Sequence, residues 1–138
     1  MPYKSRTESM LADARNANLY RQFVEHIEDR DARDAFRYLV GLAAEDPRFD
    51  CHPQQKGVVL DFRYIDRIGE QPYSLIVNKG SLLLYFRRPA LANNLGSKKL
   101  LTEKFSAVNE NTRGELTVKL RSIADVQRLW DIIGPPLR

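Results

Sequence analysis

Cys51 and His52 are the one adjacent pair of soft metal ligands in this chain, and they also suggest a nucleophile beside a base. Neighbouring residues seldom ligate one ion without donors from elsewhere. The other histidine, His26, sits on a separate segment, and no Cys-x-x-Cys or His-x-x-x-His spacing occurs. A nucleophilic cysteine needs a setting that favours its thiolate, and nearness in sequence does not make His52 face Cys51. A partly buried cysteine and a solvent-facing histidine are expected instead. Carboxylate nuclease chemistry wants a strand bearing Glu-x-Lys or Asp-x-Lys after a further acid, to hold metal and polarise water. Asp61 falls on a strand pattern, but in Glu115-Leu-Thr-Val-Lys119 the second carboxylate's place is taken by Thr117. Gly57, Gly69, Gly80, Gly96 and Gly114 are isolated turn glycines rather than a phosphate loop. No catalytic residue, metal or cofactor is expected, and the chain reads as a non-catalytic binding module.

The cations form the stronger pattern. The net charge of +4 is unevenly spread: residues 1–55 carry 8 Lys/Arg and 10 Asp/Glu, or −2, and residues 56–138 carry 14 and 8, or +6. A basic half favours polyanionic partners. Arg87 and Arg88 end an apolar strand, so a sheet would hold them more firmly than a loop would. Lys79 lies in a hairpin turn, Lys98 and Lys99 at a helix start, Arg113 in a turn, and Lys119 and Arg121 on one strand face. Tyr85 and Tyr73 add aromatic surface. Held arginines beside aromatic rings suit phosphate contact and base stacking. Nucleic acid, DNA or RNA, is therefore the first expected partner. The alternative is an acidic protein surface, with the chain acting as an adaptor or inhibitor on a nucleic-acid-handling complex. A homodimer through exposed apolar helix faces is a third expectation.

The element that must position these residues is the hairpin of residues 72–89. Leu75 and Val77 alternate with Ser74, Ile76 and Asn78, and Leu82, Leu84 and Phe86 with Leu83, Tyr85 and Arg87. Apolar residues on both faces of the second strand place it centrally, or under cover on two sides. Gly80 is expected to supply a positive φ at the turn. Around the hairpin, Val58, Leu60, Phe62 and Tyr64 alternate with Val59, Asp61 and Arg63. Leu116, Val118 and Leu120 alternate with Thr117, Lys119 and Arg121. Both are half-buried strand patterns.

Helical spacing appears three times. Leu19, Phe23, Val24 and Ile27 share one face, with Asn16 or Asn18 as the cap. Ala35, Phe36, Leu39, Val40, Leu42 and Ala43 share another, capped by Asp31 and ending before Asp46-Pro47. Ile123, Val126, Leu129, Trp130 and Ile133 form the last stripe, between Ser122-x-x-Asp125 and Gly134-Pro135-Pro136. A shorter helix starts at Ser97 and uses Leu100, Leu101, Phe105 and Val108. Residues 1–8 read as a flexible arm, residues 47–57 as a loop, residues 90–96 as a second loop and residues 109–114 as a turn.

These elements give one α+β domain over residues 1–138. A four-stranded, mainly antiparallel sheet (about 58–65, 73–78, 81–88 and 115–121) carries an N-terminal helical hairpin over residues 9–46. Residues 57–134 supply the sheet and the remaining helices, and the C-terminal helix packs on the sheet through Trp130. From Gly57 onward, an apolar meander, a helix, then Gly-Glu-Leu-Thr-Val-Lys-Leu and a helix ending at Gly134 resemble small bacterial α+β domains of the MmcQ/YjbR kind. The resemblance covers about the last eighty residues and implies helices on one side of a sheet and a DNA-binding habit; the helical hairpin in front departs from it.

A hydrophobic share of 43% and a charged share of 29% exclude disorder as an account of the whole chain. No apolar run approaches the roughly 20 residues of a membrane helix. A single cysteine, with no internal disulfide open to it, makes a reducing cytoplasm the expected setting.

Overall fold

The computed structural model describes residues 5–56, 59–92, 98–106 and 108–134. Three helices come first: α1 (Arg6–Ala12), α2 (Ala14–His26) and α3 (Arg30–Glu45). Four strands follow: β1 (Phe49–Lys56), β2 (Val59–Asp66), β3 (Tyr73–Val77) and β4 (Leu82–Phe86). The short helices α4 (Arg88–Ala92) and α5 (Lys98–Lys104) lead to β5 (Val108–Glu110), β6 (Leu116–Leu120) and α6 (Ile123–Ile133). The strands form one antiparallel sheet in the order β1-β2-β3-β4-β6-β5.

Residues directly opposite one another in such a sheet point to the same face. One face carries Phe62, Tyr64, Tyr73, Leu75, Leu84, Phe86, Leu116 and Val118, all buried. A row of rings crosses it, with Tyr64, Tyr73 and Phe86 meeting edge to face at centroid distances of 5.8 and 5.4 Å. Phe49 meets both tyrosines, each at 5.8 Å. Phe36 of α3 stands edge-on to Phe62 at 6.4 Å, so the helical layer closes onto this row. Such ring pairs add about 0.5–1.5 kcal/mol each beyond the area they bury.

The helices start where short polar side chains accept first-turn N–H groups: Ser5 from Glu8, Asp13 from Asn16, Asp29 from Ala32 and Ser122 from Asp125. The caps expected at Asn16 or Asn18 and at Asp31 are thus corrected to Asp13 and Asp29. Asp13 and Asp29 sit in extended backbone, which a capping residue requires, whereas the expected ones already lie within helices. Residues 5–8 of the expected arm are tied down. Arg6 donates to the carbonyls of Ala44 and Phe49 at 3.2 and 2.6 Å, and the Thr7 amide donates to Glu45 at 2.7 Å.

The expected four-stranded sheet is wrong: the described residues form a sheet of six strands. Residues 47–57 read as a loop because His52, Pro53, Gln54 and Gln55 give no apolar alternation. Yet residues 49–56 pair along their whole length with β2. As an edge strand β1 can carry Pro53, since the second ladder that a central strand must satisfy is missing there. β5 hides in the turn-rich residues 109–114, because three residues are too few to show a period. Val108 belongs to that strand rather than to the preceding helix, and residues 90–92 continue α4 rather than a loop.

Other details are corrected by packing. β4 is central in the ladder, but Leu83 and Tyr85 on its second face are only half-buried. Gly80 has no positive φ; among the described glycines that conformation belongs to Gly69 and Gly114. The β3–β4 turn is closed instead by the Asn78 amide on the Ser81 carbonyl at 3.0 Å. It is docked by the Lys79 carbonyl, which accepts the Glu28 and Asp29 amides at 2.7 and 3.1 Å. Trp130 packs against the core, as do deeper residues of α6. Val126, Leu129 and Ile133 are buried, α6 lies along α3, and Trp130 is half-buried. Arg48 ties these helix ends together, pairing with buried Asp46 at 2.7 Å and donating to the Ile133 carbonyl at 2.6 Å. Residues 1–4 of the arm, Gly57, Val58, Gly96, the Ser97 cap and Pro135-Pro136 lie outside the described residues.

Two substitutions test this packing. A Cβ at Gly134 would stand 2.5 Å from the Trp130 carbonyl oxygen. Gly134→Ala is expected to lower the unfolding free energy by about 1–3 kcal/mol, read from urea denaturation. The hydroxyl of fully buried Tyr64 finds no hydrogen-bond partner among the described residues. Tyr64→Phe removes that desolvated group while keeping the ring, and should raise the unfolding free energy by about 1 kcal/mol in the same assay.

Candidate nucleic-acid interface

The second face of the sheet is for the most part only half-buried among the described residues. Strand register sets two rows across it: His52, Arg63, Ser74, Tyr85, Thr117 and Asn109 in one; Gln54, Asp61, Ile76, Leu83 and Lys119 in the other. Across β1, β2, β3 and β4 these rows line a groove of about 510 Å³. Tyr85 and Ile76 are its apolar surface, Arg63, Arg87 and Arg113 its cations, and Asp61 and Glu115 its carboxylates. Adjacent strands are about 4.8 Å apart, which sets Arg63 about 10 Å across the sheet from Tyr85.

The polar walls are held in place. Asp61 accepts from the Ser74 hydroxyl at 2.6 Å and from Arg63 Nε at 3.0 Å. Glu115 is buried and accepts from Arg87 Nε at 3.3 Å and from the Asn111 side chain at 2.9 Å. Arg87 also donates to the carbonyl and side chain of Gln71 at 3.2 and 3.3 Å. Asn111 orders the turn before β6: its side-chain oxygen accepts the amides of Arg113 and Glu115 at 2.9 and 3.0 Å. Gly114, at φ 78°, supplies the left-handed step that this turn needs. Arg88 Nε donates to the Arg113 carbonyl at 3.1 Å. Arg113 is thus an exposed side chain on a fixed backbone.

The expected binding residues therefore divide. Arg87, Arg113 and Tyr85 line one groove, Arg88 borders it beside Pro89 and Arg113, and Lys119 lies on the same face opposite Leu83. Lys79 stands at the hairpin turn, 3.8 Å from Glu28 of the α2–α3 connection. Lys98 faces Glu110 of β5 at 3.7 Å, Lys99 is exposed on α5, and Arg121 is exposed between β6 and α6; none of these four lines the groove. Tyr73 cannot contribute aromatic surface, being buried on the helical face. Arg63, Gln54 and Ser74 belong to the groove and were not among the expected binding residues. Arg63 and Ser74 stood on the polar sides of their strand patterns, the one signal that could have marked them. Gln54 lay in the segment read as a loop.

Cys51 and His52 point to opposite faces of β1, as consecutive strand residues must, and so cannot share one ion. Cys51 is buried with Sγ 3.5 Å from the Ala43 carbonyl, while His52 is half-exposed. Burial above all, with Asp46 and Asp50 nearby, pushes the Cys51 thiol up from 9.0 to about 12. A thiol held protonated in this way is a poor nucleophile. Burial likewise raises Tyr73 from 10.0 to about 12.

A pH dependence follows. The unfolded chain releases the thiol proton near pH 9.0 and the folded protein keeps it to about 12, so the folded state binds more protons between those values. The contribution of Cys51 is complete below pH 9 and is lost as the pH rises towards 12. Urea midpoints should fall between about pH 8 and about pH 10.5, and Cys51→Ala should fall less steeply over that interval. Equal slopes would place the loss elsewhere.

Compared with protein-family models, with curated proteins and with solved structures, the chain matches none of them.

Proposed function

We propose that this protein is a non-catalytic nucleic-acid-binding module that uses the second face of its sheet. The observation carrying this reading is the meeting of Arg63, Arg87 and Arg113, from three separate segments, around half-buried Tyr85 in one groove. Three arginines face two carboxylates there, leaving +1. Arg88 at the border and Lys119 along the face add two more positive charges. Asp61 and Glu115 are already engaged by Arg63 and Arg87, so the cations with most freedom to meet phosphate are Arg113, Arg88 and Lys119. Phosphate contacts from such residues fix orientation, and an aromatic ring beside them offers stacking. The resemblance of the C-terminal part to MmcQ/YjbR-type domains points the same way.

A protein partner with an acidic rim is the second reading. It is favoured by Ile76 and Leu83, which are paired in register and half-buried on the same face. An apolar patch edged with cations suits such a surface.

The two readings part on charge and salt. Fluorescence anisotropy with labelled DNA and RNA at about 50 mM salt should show binding that weakens steeply by about 200 mM. Arg113→Ala with Lys119→Ala should reduce the salt slope by about one for each phosphate-binding cation removed and weaken binding about tenfold. Arg87→Ala is a poorer probe, because it strips buried Glu115 of its partner and disturbs the turn. Absence of binding at low salt would sink the nucleic-acid reading. A stoichiometric protein complex recovered from lysate after nuclease treatment would favour the second.

A further inference from the structure

The groove has features that phosphate contact alone does not use. Its volume of about 510 Å³ falls in the range of small-molecule sites, well beyond the shallow relief that a row of phosphates needs. Tyr85 lies on the sheet surface rather than at a rim, flanked in register by Ser74 on β3 and Thr117 on β6. The side-chain oxygen of Gln54 is buried at the groove wall and has no hydrogen-bond partner among the described residues. A buried polar atom left unpaired is rare in native structures. The Ser74 hydroxyl and the Asp61 carboxylate, by contrast, are already occupied with each other.

We infer that the groove takes one unpaired nucleobase, so that the protein selects single-stranded over double-stranded nucleic acid; this rests on the nucleic-acid reading above. A base within a duplex presents only its edges, and its faces are spent on its neighbours. Tyr85 can therefore stack only on a base that has left the helix. Gln54 lies on β1, three strands or about 14 Å across the sheet from Tyr85, so its oxygen accepts from the nucleotide beside the stacked base, through N–H groups that base pairing would have consumed. Arg113 and Arg88, joined by the Arg88 hydrogen bond to the Arg113 carbonyl, lie together at one border of the recess, where the backbone flanking the inserted base would pass. Arg63 and Arg87 are held by their carboxylates and serve as fixed walls of the recess. Charge complementarity thus chooses the strand, and the recessed ring and the unpaired amide choose its single-stranded form.

The test compares one mixed-sequence oligonucleotide, as DNA and as RNA, in single-stranded form and annealed to its complement, by anisotropy at about 50 mM salt. Single strands should bind at least about tenfold tighter than the duplex. Tyr85→Ala should weaken single-strand binding about fivefold to a hundredfold and duplex binding far less, while Tyr85→Phe retains affinity. Gln54→Leu should weaken the single strand alone. Tyr85 and Gln54 are both outside the helical-face core, and a wild-type urea midpoint for each variant confirms that it folds. Equal or tighter duplex binding, or variants that lower both forms alike, would overturn the inference and leave the nucleic-acid reading standing. Failure of every oligonucleotide to bind would overturn both.

Discussion

Everything in this fold depends on the ring contacts across the helical face of the sheet. Phe49, Tyr64, Tyr73 and Phe86 come from four strands and meet edge to face, and Phe36 of α3 lies against Phe62 beside them. Large rings in consecutive register positions let one helical layer bury the middle of the sheet. They also spend the helices on that one face. The opposite face is left with Ser74, Ile76, Leu83, Tyr85 and Lys119, none fully buried. A half-buried, polar and charged surface is the counterpart of a core packed from one side.

The groove on that surface joins side chains from the strands to side chains from the connections. Arg87 follows the end of β4, Arg113 sits in the Asn111-centred turn before β6, and Gln71 precedes β3. Glu115 joins these pieces: its buried carboxylate accepts from both Arg87 and Asn111. The cations of the site are therefore not alike. Those in ion pairs hold the geometry, and the exposed ones carry the free charge, which is why a plain count of arginines overstates what a partner would feel.

The same distinction separates chemistry from structure elsewhere in the molecule. Cys51 and His52 are neighbours in sequence, but the pleat of β1 sends them to opposite faces. Lys79 has a cationic side chain, yet its best-ordered contribution is a backbone carbonyl that holds the β3–β4 turn against the start of α3. Arg48 joins the ends of α3 and α6 through Asp46 and the Ile133 carbonyl, with its guanidinium 5.1 Å from the ring of Phe49.

The amino-acid sequence by itself determined the long helices, the four strands with clear alternation, the inward set from Phe62 to Leu120, and the start of α6 at Ser122. Each of these is written in local spacing, because a helix or a half-buried strand must repeat its apolar residues at the period of its own backbone. The edge strands β1 and β5 were not legible. An edge strand need bury little and can be polar, short or interrupted by proline, so its only signature is the partner that it pairs with. The binding residues were legible in type and not in position. Arg87, Arg113 and Tyr85 could be picked out as cations and an aromatic ring, but their union with Arg63 and Gln54 needed the register of β1, β2, β3 and β4. Register comes from contacts between residues far apart in the chain, and only the tertiary structure decided it.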